Sequence, residues 1–170
     1  MKKTAMILLA LSVCALLLTG CGPSSPRSQT EALKVYSFHG ENDVISVENG
    51  VIVSDGQAEI CYGGNLDGNQ NAFSDIAAYS VTFYLSVDNE REVLMSNSAN
   101  DHTGGTVNVF GDLGKITGDV IRDSDVEQLP DHLWFELKTT DLSGQEHTYQ
   151  FPLQVTEITK TTETDSQRPD

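Results

Sequence analysis

From Tyr79 to Val87, Tyr79, Val81, Phe83, Leu85 and Val87 interleave with Ser80, Thr82, Tyr84 and Ser86. A period of two is the signature of an extended strand, with one side on a core and the other toward water or a partner. A polar turn over Asp88 to Arg91 leads into a second strand, Glu92 to Ser98, so the pair predicts a hairpin. Shorter strands recur on both sides of it. Asn49-Gly50 separates Val44–Glu48 from Val51–Val53, and Asp55-Gly56 separates that strand from Ala58–Tyr62. Both dipeptides tolerate the positive φ that two-residue hairpin turns need, which predicts a three-stranded meander preceded by a strand over 34–39.

Further strands are expected over Thr106–Phe110 and Lys115–Ile121, joined through Gly111-Asp112-Leu113-Gly114. A last hairpin pairs His132–Thr139 with Glu146–Thr156 across Asp141–Gly144, with Tyr149, Phe151, Leu153 and Val155 facing inward. Pro152 has no N–H to give a ladder, so its strand must be an edge or carry a bulge there. One short helix is expected near 71–78. About nine strands and no sustained helical period predict an all-β domain: an antiparallel β-sandwich, with a β-barrel as the alternative.

The ends of the chain follow other patterns. Lys2 and Lys3 precede 14 residues, Ala5 to Leu18, that are apolar except for Ser12. A basic start, an apolar run and small residues at its end make a secretory signal over 1–20, and the run is short of the roughly 18 to 20 residues a transmembrane helix needs. Residues 21–32, with Pro23, Ser24, Ser25 and Pro26, read as a flexible tether; 33–158 hold the domain; 159–170, rich in Thr and charge, read as a disordered tail.

Leu18-Thr19-Gly20-Cys21 resembles the lipobox of bacterial lipoproteins. That resemblance implies diacylglyceryl transfer to the Cys21 thiol, cleavage before Cys21, and a lipid anchor at the extracytoplasmic face of the bacterial cell membrane. Tyr36–Asn42, Phe73–Ile76 and Thr103–Asn108 also resemble segments of a group of uncharacterised bacterial lipoproteins, which implies one lipid-anchored domain and carries over no activity.

Charge narrows the partners. Loss of Lys2 and Lys3 with the signal leaves 8 basic against 25 acidic residues, a net charge of −17. Such a domain repels nucleic acid and anionic headgroups, so an envelope protein or a glycan is the expected partner. Cys14 leaves with the signal and Cys21 takes lipid, so Cys61 has no disulfide partner and is expected as a small buried hydrophobe.

Candidate chemistry is sparse. There is no G-x-S-x-G elbow, H-E-x-x-H, P-loop or C-x-x-C, and His39, His102, His132 and His147 are scattered singly. No enzyme activity and no cofactor are expected; a hydrolase would need two carboxylates set across a cleft. Asn65–Asn69, with Asp67, and the acidic run Asp119, Asp123, Asp125, Glu127 are incomplete calcium loops, each short of the six to eight oxygens that ion takes. Trp134 is the only tryptophan. With Leu133, Phe135 and Leu137 inward it shares an outer face with Glu136 and Lys138 and, with Tyr84, offers a ligand- or sugar-binding platform. The opposite register buries it in the core, the usual place for a lone tryptophan.

Overall fold

The computed structural model describes residues 33–121 and 125–159. The signal, Cys21, the tether, Asp123 and residues 160–170 lie outside them.

Two antiparallel sheets pack face to face, as a sandwich and not a closed barrel. The seven-stranded sheet holds β1 (Lys34–Glu41), β2 (Ile45–Ser54), β3 (Glu59–Tyr62), β4 (Asn65–Gly68), β7 (Gly111–Asp112), β8 (Lys115–Gly118) and β11 (Gln154–Glu157). The four-stranded sheet runs in the order β10 (Glu146–Pro152), β9 (Leu133–Asp141), β5 (Ile76–Val87), β6 (Glu90–Asn100). Val81, Phe83 and Leu85 on β5 and Phe135 and Leu137 on β9 are at most 1% exposed and supply one inner face. Tyr36, Phe38, Val47 and Ile52 supply the other. The sheets meet through rings: Phe38 of β1 lies 5.6 Å from Phe83, and the series continues to Phe135 at 5.3 Å and from there to Phe151 at 5.1 Å. Offset and edge-on rings at such spacings add about 1 kcal/mol per pair beyond area burial.

Several turns form as their residues dictate. Asp55 Oδ1 accepts from the Gln57 and Ala58 amides, and Gly56 takes φ 78°, closing the β2–β3 hairpin. Asp88 and Asn89 both have positive φ, 50° and 66°, the condition of a type I′ turn, and close β5–β6. Asp141 Oδ1 accepts from Ser143 and Gln145 and closes β9–β10. β10 is an edge, as Pro152 requires. After Pro152 the chain leaves the four-stranded sheet, and β11 pairs with β1 in the other. One continuous segment thus stitches the two layers at a proline, the residue least able to extend the first ladder. Thr159 closes the domain by accepting the Val35 amide at its Oγ1, at 2.6 Å.

Three expectations are corrected. Asn49-Gly50 does not reverse the chain: β2 runs through it, and the β1–β2 turn is made instead by Asn42, whose Oδ1 accepts from Val44 and Ile45. Asn49 does take positive φ, 60°, but as a bulge in which Glu48 and Asn49 face His39 alone. Beside it, β2 pairs with β3 through Val51–Ser54 and with β4 through Ile45–Glu48, the break falling at Gly63-Gly64. One strand further on, Leu113-Gly114 separates β7 from β8. Gly63 donates to the Gly114 carbonyl and Leu113 to the Gly64 carbonyl, both at 3.0 Å. The three irregularities line up as one crease across the seven-stranded sheet.

Residues 106–110 join no ladder. Asn108 bonds locally to the Phe110 N–H and carbonyl, a competing arrangement for the backbone, while Val109 plugs into the core. The helix expected over 71–78 shrinks to a 3-10 turn, Gln70–Phe73, capped by Asn69, because β5 extends back to Ile76. A 3-10 turn at Val126–Gln128 leads into the one α-helical segment among the described residues, α1 (Leu129–His132), with proline in its first turn and Leu129 buried.

Candidate functional site

The outer face of the four-stranded sheet carries the sandwich's most organised set of polar and aromatic side chains. Register places them in rows, since directly paired residues share a side. Pro152, Trp134, Tyr84 and Val93 form one row across β10, β9, β5 and β6. The next two are Gln150, Glu136, Thr82, Ser96 and then Thr148, Lys138, Ser80, Ser98. Trp134 is half-buried on this face and not in the core, because Leu133, Phe135 and Leu137 take the inward positions of β9.

Tyr84 shares the face with Trp134 but is not an open platform. The Arg91 guanidinium lies 3.8 Å above its ring centroid, and Tyr84 is 3% exposed. Arg91 reaches over β5 to Glu136 on β9, where its two terminal nitrogens donate to the two carboxylate oxygens at 3.0 and 2.8 Å. Lys138 Nζ stands 3.4 Å from Glu136 Oε1, and Gln150 on β10 donates to the Tyr84 hydroxyl. A strap of polar contacts therefore crosses all four strands. A forked guanidinium–carboxylate pair is directional, and stacking on a ring further restricts the arginine.

The hydrogen bonds from Arg91 hold the Glu136 carboxyl below its ordinary value of 4.5, and Lys138 adds to the effect. Glu136 thus stays ionised and cannot act as a proton donor near neutrality. A depressed carboxyl stabilises the fold fully above its unfolded value and loses that contribution as pH falls through the folded one. Arg91→Ala is expected to cost about 1 kcal/mol near pH 7, a modest figure because the Arg91 side chain is 39% exposed and screened. Urea midpoints of the two proteins should converge as pH drops below 4.5; a difference that persists undiminished into strong acid would refute this role.

Beyond the strap, small side chains leave a shallow depression of about 630 Å³ over the far end of the sheet, bordered by Ser80, Ser98, Lys138, Thr140, Glu146 and Thr148. Its floor offers hydroxyls and one charge of each sign.

The acidic candidates are engaged elsewhere. Asp67 lies on β4, a strand and not a loop; Leu66 turns inward, and Asp67 Oδ1 accepts the Gly68 amide at 2.7 Å. Asp125 accepts from the Gln128 side chain at 3.1 Å. Among the described residues no three His, Cys, Asp or Glu side chains converge as a metal site would require. His39, His102 and His147 are exposed, and His132 Nδ1 lies 3.0 Å from the Ser86 carbonyl oxygen. Cys61 is 1% exposed on β3, and burial pushes its thiol up to about 12, so at neutral pH it is a small apolar filler.

Composition did not point to one further carboxylate. Glu59, 2% exposed, accepts from the Ser54 hydroxyl at 3.1 Å and from the Val120 and Ile121 amides at 3.0 and 3.2 Å. Its donors are distant in sequence or ordinary serine, so nothing local distinguishes it. Glu59 and Glu136 alike are engaged by donors of the fold itself. In comparisons with known proteins, no family model, no curated protein and no solved structure matched the chain.

Proposed function

We propose that this protein is a lipoprotein held at the extracytoplasmic face of a bacterial cell membrane through Cys21, and that its sandwich works there by binding and not by catalysis. The observation that carries the reading is Leu18-Thr19-Gly20-Cys21 at the end of a 14-residue apolar run behind two lysines. Two acyl chains, at about 0.8 kcal/mol per buried methylene, hold a domain firmly where one does not. An acidic domain on a Pro- and Ser-containing segment suits display away from anionic headgroups. The resemblance to uncharacterised bacterial lipoproteins belongs to the same reading.

Cys21→Ser removes the acceptor thiol. The variant is expected to lose incorporation of labelled fatty acid and to leave the membrane fraction, while the parent keeps both. A Cys21→Ser protein that still fractionates with the membrane and still takes label would overturn the proposal.

The half-exposed Trp134, on the same outer face as the hydroxyl-lined depression but across the strap from it, favours a second reading, a glycan or other small ligand on this face. Under that reading Trp134→Ala abolishes retention on a glycan array and leaves the urea midpoint nearly unchanged. Tyr84, covered by Arg91, contributes to such a site only by supporting the strap.

A further inference from the structure

Strands at the edge of a sheet present unpaired N–H and C=O groups, and proteins protect them with shortness, charge, proline or bulges. Three of the edges here are short: β7 has two residues, β11 has four, and β8 has four and opens on Lys115. β10 ends in Pro152. β6 differs. It runs for 11 residues, and among the described residues it pairs only with β5. Its first half is protected by the charges of Glu90, Arg91 and Glu92 and by the bulge at Leu94. Residues 95–100, Met-Ser-Asn-Ser-Ala-Asn, have no charge and no proline, and their pairing with β5 is regular. Ser96, Asn97, Ser98 and Asn100 are exposed, and their short side chains leave the backbone within reach.

We propose that the edge at residues 95–100 is a docking site for an extended basic segment of a partner protein, which adds to the four-stranded sheet alongside β6. The inference rests on the binding role proposed above and names the partner and its mode. Every second residue of an edge strand turns its N–H and C=O outward, so a segment of about six residues, about 20 Å long, can continue the ladder. Charge selects the occupant. The chain has 25 acidic against 10 basic residues, and the open stretch lies between Glu90 at one end and Asp101 at the other. Arg91 does not offset Glu90, because its guanidinium is turned across the sheet onto Glu136. A second copy would bring its own net charge of −15 against this edge, whereas a lysine- or arginine-bearing strand meets it with the opposite sign.

The test uses the full chain and three synthetic peptides: alternating Lys and Val, alternating Glu and Val, and the Lys–Val peptide N-methylated at alternate amides. The Lys–Val peptide is expected to slow amide exchange at residues 95–100 by about tenfold or more, less so as salt is raised. The Glu–Val and N-methylated peptides should leave exchange unchanged. Ser98→Lys, which sets a positive charge on this edge against the peptide's own, should abolish the slowing at an unaltered urea midpoint. Absence of slowing with Lys–Val, equal slowing by the N-methylated peptide, or concentration-dependent protection of β6 in the protein alone would each overturn the proposal, the last by assigning the edge to a second copy. An envelope partner that still binds the Ser98→Lys variant would remove this edge as its site and leave the binding role standing.

Discussion

Replacing Gly64 by alanine is expected to cost the domain about 4 kcal/mol, against the roughly 5 to 15 that hold a domain of this size together. Gly64 has φ +77°, where a side chain costs about 1 to 2 kcal/mol for its backbone conformation alone. A Cβ there would also collide with the Glu48 carbonyl oxygen and approach the Gly50 amide nitrogen to 2.7 Å. Both obstacles are backbone, and both belong to the bulged part of β2, so neither can swing aside as a side chain would. Overpacking of that kind adds about 1 to 3 kcal/mol. Gly104 supplies the control, since it has nearly the same φ, +86°, and nothing within 4 Å of its would-be Cβ. Gly104→Ala should therefore cost only the conformational part. Urea denaturation of the two variants separates strain from collision; equal losses would mean that the crease does not depend on close approach at Gly64.

Glu59→Ala is expected to cost about 3 kcal/mol. The carboxylate is the acceptor for the Val120 and Ile121 amides and for the Ser54 hydroxyl, and an abandoned buried donor loses more than the net worth of its hydrogen bond. Ile121 is 1% exposed, so its amide has no ready access to water. Glu59→Gln keeps an acceptor oxygen in nearly the same shape and should cost about half as much. Amide exchange at Val120 and Ile121 should accelerate in the alanine variant ahead of global unfolding. Unchanged exchange at those two positions would show that Glu59 does not hold the segment after β8.

How much of this was legible in the sequence differs from element to element. The alternation over Tyr79–Val87 gave β5 its inward set, and Asp55-Gly56, Asp88-Asn89 and Asp141–Gly144 all reverse the chain as their short polar side chains suggest. Asn49-Gly50 carried the correct local information, a positive φ, but whether that conformation bends a strand or reverses it depends on neighbours. Gly50 lies under the Phe38 ring, and Gly64 crosses beside it; neither contact is encoded nearby. In β3, Ile60 is 45% exposed while Glu59 faces in beside Cys61, and the distant amides that compensate the carboxylate have no local signal in the sequence.

The candidate face shows the same division. Pattern alone allowed Trp134 on either side of β9, and the buried positions of Leu133, Phe135 and Leu137 decide it. Tyr84 was readable as outward, but not as covered. Its cover, Arg91, comes from the far strand of the sheet and closes on Glu136, 45 residues away in sequence. Such a strap depends on strand order, β9 beside β5 beside β6, which no local period reports. The edge character of β6 is equally a property of order and not of composition.

Mass spectrometry of the native protein's mature amino terminus tests the account most directly. It should find a chain beginning at Cys21 and heavier than its residues by a diacylglyceryl group, with or without a further acyl chain on the amine. An unmodified chain beginning at Met1, or a mature form cleaved elsewhere with a free Cys21 thiol, would contradict it.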